Sequence, residues 1–120
     1  CGEVTDVPRP CPEPPRCRGC GGWLRPGVVW FGEPIPQPAL LAAQAAALEC
    51  EVFLAVGTSA QVYPAAGLAS LAQRAGALVV EINPAPTGLD GAAAVTLPGA
   101  SGVVLPALVE AVRVARGTRQ

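Results

Sequence analysis

The segment Cys17-Arg18-Gly19-Cys20-Gly21-Gly22 sets two thiols two residues apart, so that both sulfurs can face one metal ion, and the glycines after them permit the tight turn this needs. Fifteen residues separate Cys1 from Cys17, a spacing that fits the second half of a C-x2-C-x15–20-C-x2-C tetrathiolate site. On that pattern Cys1, Cys17 and Cys20 are three zinc ligands, and the remaining cysteine would stand three positions before Cys1. Cys11 is out of register and is either a bystander or a substitute ligand. Two other readings stay open. A redox C-x-x-C belongs at a helix N-terminus after a strand, whereas this one lies in a Pro/Gly-rich loop. A disulfide framework suits a small secreted protein, and no secretion signal marks the chain.

A second constellation lies at residues 51–64, EVFLAVGTSAQVYP. Val52 to Val56 is an apolar run too short for a helix and closed by Gly57, the pattern of a buried parallel strand. Gly57-Thr58-Ser59 then forms the turn before a new helix. In open α/β sheets that turn is where ligands bind. Glycine there lets a ligand reach the backbone, and the two hydroxyls can hydrogen-bond sugar hydroxyls. Residues 77–82 (ALVVEI) read as a second buried strand that ends at Asn83-Pro84-Ala85, so Asn83 should share a sheet edge with Gly57.

The elements that must position these residues follow from pattern. Residues 38–49 read as an Ala-rich helix anchored by Leu40, Leu41 and Leu48, followed by Cys50 as a small buried hydrophobe. A helix near 64–75 starts with Pro64 at its first position, turns Leu68, Leu71, Ala72 and Ala75 inward and stops at Gly76. Ala93 to Leu97 is a third short strand. Gly99-Ala100-Ser101 leads from it to a helix over roughly 103–115, burying Val104, Leu105, Leu108 and Val112. The fold class expected is α/β, about half of a doubly wound, Rossmann-like parallel sheet with part of a small zinc-binding module. Residues 1–26 hold four of the five Cys and six of the fourteen Pro, cannot build a core and need a staple. Residues 27–36 are a separate strand and loop, 37–116 the nucleotide-binding half-domain, and 117–120 a frayed tail. Within 27–36, Val28 to Phe31 is β-prone and aromatic: either a short core strand or a strand edge on which an extended peptide can pair.

Composition limits what the chain does. Its net charge is −1 without a basic cluster, which gives no reason to expect nucleic-acid binding, and no apolar run approaches the length of a membrane span. Without an export signal and with metal-type cysteines, a cytoplasmic location is expected. There is no His, so no imidazole base or ligand can come from these 120 residues. There is no Met either, and the first residue is Cys1, so a fragment or processed product is expected.

Taken together, Cys-x-x-Cys-Gly-Gly, LRPGVVWFGE, FLAVGTSAQVYPAAGL and EINPAPT, in this order and spacing, resemble the C-terminal half of a bacterial or archaeal sirtuin. Sirtuins are the NAD-dependent protein-lysine deacylases. The resemblance runs from Cys1 to about Val112. It implies that Gly57, Thr58 and Ser59 contact the ribose and phosphate part of NAD, and that Asn83, with Pro84 and Ala85, holds the adenosine ribose. Ser101 stands where the family's last adenine contact sits. Val29, Phe31, Gly32 and Glu33 would form the acyl-lysine channel and pair with the substrate peptide. Cys1, Cys17 and Cys20 would be three of the four structural zinc ligands. In the implied chemistry the acyl-lysine amide oxygen attacks the nicotinamide ribose carbon and nicotinamide leaves. A His then helps a ribose hydroxyl attack the imidate, yielding lysine and O-acyl-ADP-ribose. The Gly-rich loop, the His-Gly motif and the first zinc Cys are missing here, so this chain alone is expected to be inactive. Two alternatives remain: a non-catalytic zinc-stapled NAD-binding or interaction module, and a different nucleotide-binding α/β protein that shares only the Gly-Thr-Ser turn.

Overall fold

The computed structural model describes residues 1–7, 11, 13–89 and 91–117. The chain divides into two compact units, Cys1–Ile35 and Pro36–Gln120. Among the described residues, the second contains every regular element: α1 (Gln37–Glu49), β1 (Val52–Val56), α2 (Gly67–Arg74), β2 (Leu78–Asn83), β3 (Val95–Pro98) and α3 (Ser101–Gly117). The strands form one sheet in the order β1-β2-β3. Both pairings are parallel, Val52 opposite Leu78 through Val56 opposite Ile82, then Val80 opposite Val95 through Asn83 opposite Pro98. Because the strands run the same way, their carboxyl ends share one edge, from which the loops after Val56, Asn83 and Pro98 depart.

Alternation along the strands divides the core between two faces. On one face Phe53, Ala55 and Val79 pack with Ala47 of α1 and Ala69 and Ala72 of α2. On the other, Val80 and Ile82 are buried and α3 packs against β2, while Val52, Leu54 and Leu78 keep roughly half their surface exposed. The expected α/β half-sheet is therefore present, with helices on both faces.

Several local expectations are corrected. The inner stripe of α1 is Leu40, Ala43, Gln44 and Ala47, at i, i+3, i+4 and i+7, which leaves Leu41 and Leu48 on an exposed flank. Small residues won this stripe because α1 lies close to α2. Pro64 does not open α2; it sits in a turn with a cis Tyr63–Pro64 bond, and the helix begins three residues later. Ala69 takes the inward place given to Ala75, which is exposed beside the Gly76 stop. β2 and β3 each start a residue or two later than expected, and α3 starts two residues earlier. Val112 is exposed, and Val104, Leu105 and Leu108 are only half-buried, because α3 meets the sheet along its first turns. Of the tail expected to fray, Gly117 is the last helical residue, and 118–120 lie outside the described residues.

In the first unit no helix or strand occurs among the described residues apart from an isolated antiparallel bridge between Arg16 and Trp23. Val28 to Phe31, expected as a strand, forms a loop and turn. Val28, Val29, Trp30 and Phe31 are all exposed, so no core strand is present. Local side-chain bonding overrides the β-propensity of Val-Val-Trp-Phe.

Candidate functional site

The turn at 17–22 is fixed by backbone hydrogen bonds from Cys17 N–H to Gly22 C=O (2.8 Å) and from Gly21 N–H to Cys17 C=O (2.9 Å). Its start and end are joined across the Arg16–Trp23 bridge, where the guanidinium lies 3.8 Å from the indole centroid and donates to Gly21 C=O at 2.9 Å. This arrangement brings the sulfurs of Cys1, Cys17 and Cys20 within 4.8 Å of one another. Cys1 and Cys17 are 3.8 Å apart. Two sulfurs bound tetrahedrally to zinc at about 2.3 Å stand about 3.8 Å apart, so the cluster fits that ion. The Gly22 backbone N–H, and after it the neighbouring Cys17, hold the Cys20 thiol below its ordinary value, which favours the thiolate a metal requires. Glu3 approaches the cluster and accepts from Cys17 Sγ at 3.5 Å. Gly19 makes room for it, since a Cβ there would stand 2.8 Å from the Glu3 carboxylate. Cys11 is apart from the cluster and donates to Glu13 C=O. All five cysteines are free thiols.

In the same unit, the loop after Leu24 is closed by one charged pair. Arg25 Nη1 and Nη2 donate to the two oxygens of Glu33, the second at 2.9 Å, and Nη2 also donates to Val28 C=O at 2.6 Å. Trp30 N–H donates to Glu33 Oε2 at 3.1 Å, and the Arg25 guanidinium lies 4.4 Å from the Trp30 ring centroid. Hydrogen bonds from Arg25 first, then from Trp30 N–H, bring the Glu33 carboxyl down to about 2. Among the expected peptide-contact residues, Val29, Phe31 and Gly32 are presented outward by this loop, with Phe31 92% exposed. Glu33 is engaged inside it.

In the second unit, three loops meet at the carboxyl edge of the sheet. Gly57 ends β1 at φ +61°, a backbone conformation that glycine adopts freely, with its N–H on Ile82 C=O at 2.9 Å. Asn83 links the neighbouring loops. Its amide donates to Thr58 C=O at 2.6 Å, and its own carbonyl accepts from Gly99 N–H at 3.0 Å. Thr58 Oγ1 accepts from Ala60 N–H at 3.2 Å, and Ala60 itself is left-handed at φ 53°. A non-glycine residue held there costs on the order of 1 kcal/mol. Thr58 and Ser59 line a cavity of about 270 Å³, together with Phe53, Val62, Ala66 and Leu89. Asn83, Pro84, Ala85 and Ser101 do not line it: Pro84 and Ala85 are exposed, and Ser101 is the half-buried first residue of α3.

Three contributors were missed in the sequence: Arg25, Glu81 and Ala60. Arg25 and Glu33 are opposite charges flanking a Pro-Gly turn, which is a readable signal. Glu81 is a lone acid inside an apolar run, and the structure buries it to 1% exposure with Thr87 donating to its carboxylate. Thr87 Oγ1 in turn accepts from Leu89 N–H at 3.4 Å, tying β2 to the loop beside the cavity. Ala60 carries no sequence signal at all.

A parallel half-sheet with a polar carboxyl edge, in one chain with a three-thiol cluster spaced to hold a metal ion, defines an α/β protein of the doubly wound kind. Residues 3–64 match the Sir2 family, and the chain belongs to that family. It is 52% identical over 121 residues to NAD-dependent protein deacylase 2 of Pyrobaculum aerophilum, covering 100% of this chain and 49% of that one. It is similar to a mutant Sir2 homologue solved as an ADP-ribose complex, with a TM-score of 0.85 and 41% identity over 98% of this chain and 47% of that one. It is also similar to Sir2Af2 bound to a myristoylated histone peptide, with a TM-score of 0.78 and 44% identity over 88% and 45%. The chain spans about half the length of the curated relatives it matches. Among the described residues, no helix is long and apolar enough to cross a membrane.

Proposed function

We propose that the protein is an NAD-dependent protein-lysine deacylase, to which these 120 residues contribute the NAD-holding sheet edge, the acyl-peptide loop and three ligands of a structural zinc. The observation that carries this reading is the backbone match to the ADP-ribose-bound Sir2 homologue. ADP-ribose is what remains of NAD once nicotinamide has left. In this reading Gly57, Thr58 and Ser59 receive the ribose and phosphates, and Gly57 leaves the backbone open to them because nothing stands within 4 Å of where a Cβ would be. Asn83, Pro84 and Ala85 hold the adenosine ribose, with the Asn83 carboxamide oxygen available to a hydroxyl while its nitrogen stays on Thr58 C=O. Ser101 meets the adenine through its backbone. Val29, Phe31, Gly32 and Glu33 form the loop that receives the acyl-lysine peptide, a reading supported by the peptide complex of Sir2Af2.

The reaction consumes NAD and one water, moves the acyl group from lysine nitrogen to a ribose oxygen of ADP-ribose, and releases nicotinamide and free lysine. NAD is consumed as a co-substrate, and no hydride moves. Zinc held by Cys1, Cys17 and Cys20 serves the fold and takes no part in the chemistry. With no His in the 120 residues, we assign the general base to another part of the protein, and because the Gly-rich phosphate loop is also missing from them we expect the 120 residues alone to release no nicotinamide. The test is acyl-lysine-dependent nicotinamide release, measured for this chain and for the product of its reading frame extended upstream. Release by the extended protein only is the expected result. Release by neither, with zinc bound and the fold intact, would instead identify a non-catalytic NAD-binding or interaction module.

A further inference from the structure

The geometry points to Arg25 and Glu33 as a paired clip whose task is to position the exposed Val28–Phe31 segment for the acyl-lysine peptide, with neither side chain serving as a peptide contact. This inference rests on the reading of that loop as the peptide site and changes the part Glu33 plays in it.

The argument starts from what each group has left to offer. A carboxylate accepts about four hydrogen bonds. Glu33 already accepts from Arg25 Nη1, Arg25 Nη2 and Trp30 N–H, all within its own loop. Arg25 has five N–H donors in a planar fork. They reach both Glu33 oxygens, Val28 C=O and, at 3.4 Å, Pro26 C=O. The face of the same fork lies over the Trp30 ring. Two side chains eight positions apart thereby fix the backbone at Pro26, Val28 and Trp30.

That is the work a strand or a core would otherwise do, and here neither is available. Segment 28–31 has no ladder partner, and its four apolar side chains are all exposed. Exposed apolar groups on a loop held in one shape make a surface suited to an apolar ligand or an extended chain. The pair is itself solvent-facing, with side-chain exposures of 48% and 39%. Such pairs contribute little to global stability, so the clip acts on the shape of the loop and can be altered without unfolding the protein. Fork geometry matters, because lysine has the charge without the two parallel donors.

The test uses the longest protein the reading frame supplies, with an acetyl-lysine peptide and NAD as substrates. Arg25→Glu and Glu33→Arg are each expected to raise KM for the peptide about tenfold, as broken close charge pairs do, while KM for NAD stays within about twofold. The double variant Arg25→Glu/Glu33→Arg restores the opposite charges in reversed order and is expected to recover most of the loss. Arg25→Lys should fall between wild type and Arg25→Glu. A double variant as impaired as Glu33→Arg alone would show that Glu33 touches the peptide and would overturn the proposal, as would unchanged peptide KM in both single variants. A parallel shift in KM for NAD would also overturn it, since the effect would then be general. If the wild-type protein neither turns over nor binds the peptide, the functional reading itself fails and the clip loses its assigned task. That outcome is visible before any variant is compared.

Discussion

Among the described residues of Cys1–Ile35, Cys17 is the one buried side chain, whereas Pro36–Gln120 buries residues from α1, α2, β1 and β2 in one apolar cluster. The first unit is held by directional contacts: a bidentate ion pair, two guanidinium–indole stacks, a few backbone bonds and three thiols around a common centre. The second is held by burial and a hydrogen-bonded sheet. Burial tolerates the exchange of one apolar side chain for another of similar volume, while directional contacts fail when one partner changes. The two units should therefore respond to different perturbations.

The largest expected effect is loss of the proposed zinc. Structural zinc sites bind with apparent free energies of roughly 10–16 kcal/mol, all of it available to folding. Cys17→Ser, or a strong chelator, should remove zinc and collapse the dispersion of the amide signals of residues 15–24, leaving those of β1 and β2 in place. Unchanged metal content on Cys17→Ser would remove the staple from the account. Signals of β1 and β2 that collapse together with those of 15–24 would break the comparison from the other side.

Next in size, Ile82→Ala deletes a side chain that is fully buried on β2. Such a deletion costs about 2–5 kcal/mol, and thermal melting of the sheet should report it while zinc content stays constant. A smaller effect is expected from Trp23→Ala, which removes the surface under Arg16: about 0.5–1 kcal/mol, read as a modest rise in the rate of zinc release. Equal melting loss from Ile82→Ala and Trp23→Ala would mean that the first unit has a core after all.

The smallest concerns acid. Glu33 lies at about 2 in the folded loop against an ordinary 4.5, so its contribution is complete above about 4.5 and is lost as pH falls through 2. In a Trp23→Phe background, Trp30 fluorescence should shift with a midpoint nearer 2 than 4.5, and Glu33→Gln should abolish that transition. A midpoint at 4.5 would separate Glu33 from Arg25 in solution.

The sequence was most legible where a residue type has few alternative uses. Three cysteines at ligand spacing announce their cluster, and the apolar runs 52–56 and 77–82, closed by Gly57 and Asn83, announce parallel strands with a shared edge. It was least legible where side chains bond to nearby backbone. Val-Val-Trp-Phe has the composition of a strand, yet Arg25 and Glu33 hold it as a loop, which requires knowing that a turn brings positions 25 and 33 together. Leu41 and Leu48 looked like the anchors of α1 because hydrophobicity scales rank Leu above Ala, while close helix packing selected Ala43 and Ala47. The candidate residues at 57–59 and 83–85 were nameable from order and type. The bond from Asn83 to Thr58 was not, because it spans twenty-five positions and depends on strand register.

Six of the eight residues in the buried cluster are alanine: Ala47, Ala55, Ala69, Ala72, Ala77 and Ala92. An alanine core reverses the usual direction of mutational damage. There is almost no side-chain volume to remove, so truncation scanning would find these sites silent, although they set how closely helix and sheet backbones approach. Enlargement is what they cannot absorb. Two or three added methylenes at Ala72, which is wholly enclosed, would have to be accommodated by displacing α2 from the sheet. Sequence drift at these positions is thus limited on the side of growth, and this half-sheet is vulnerable to crowding more than to voids.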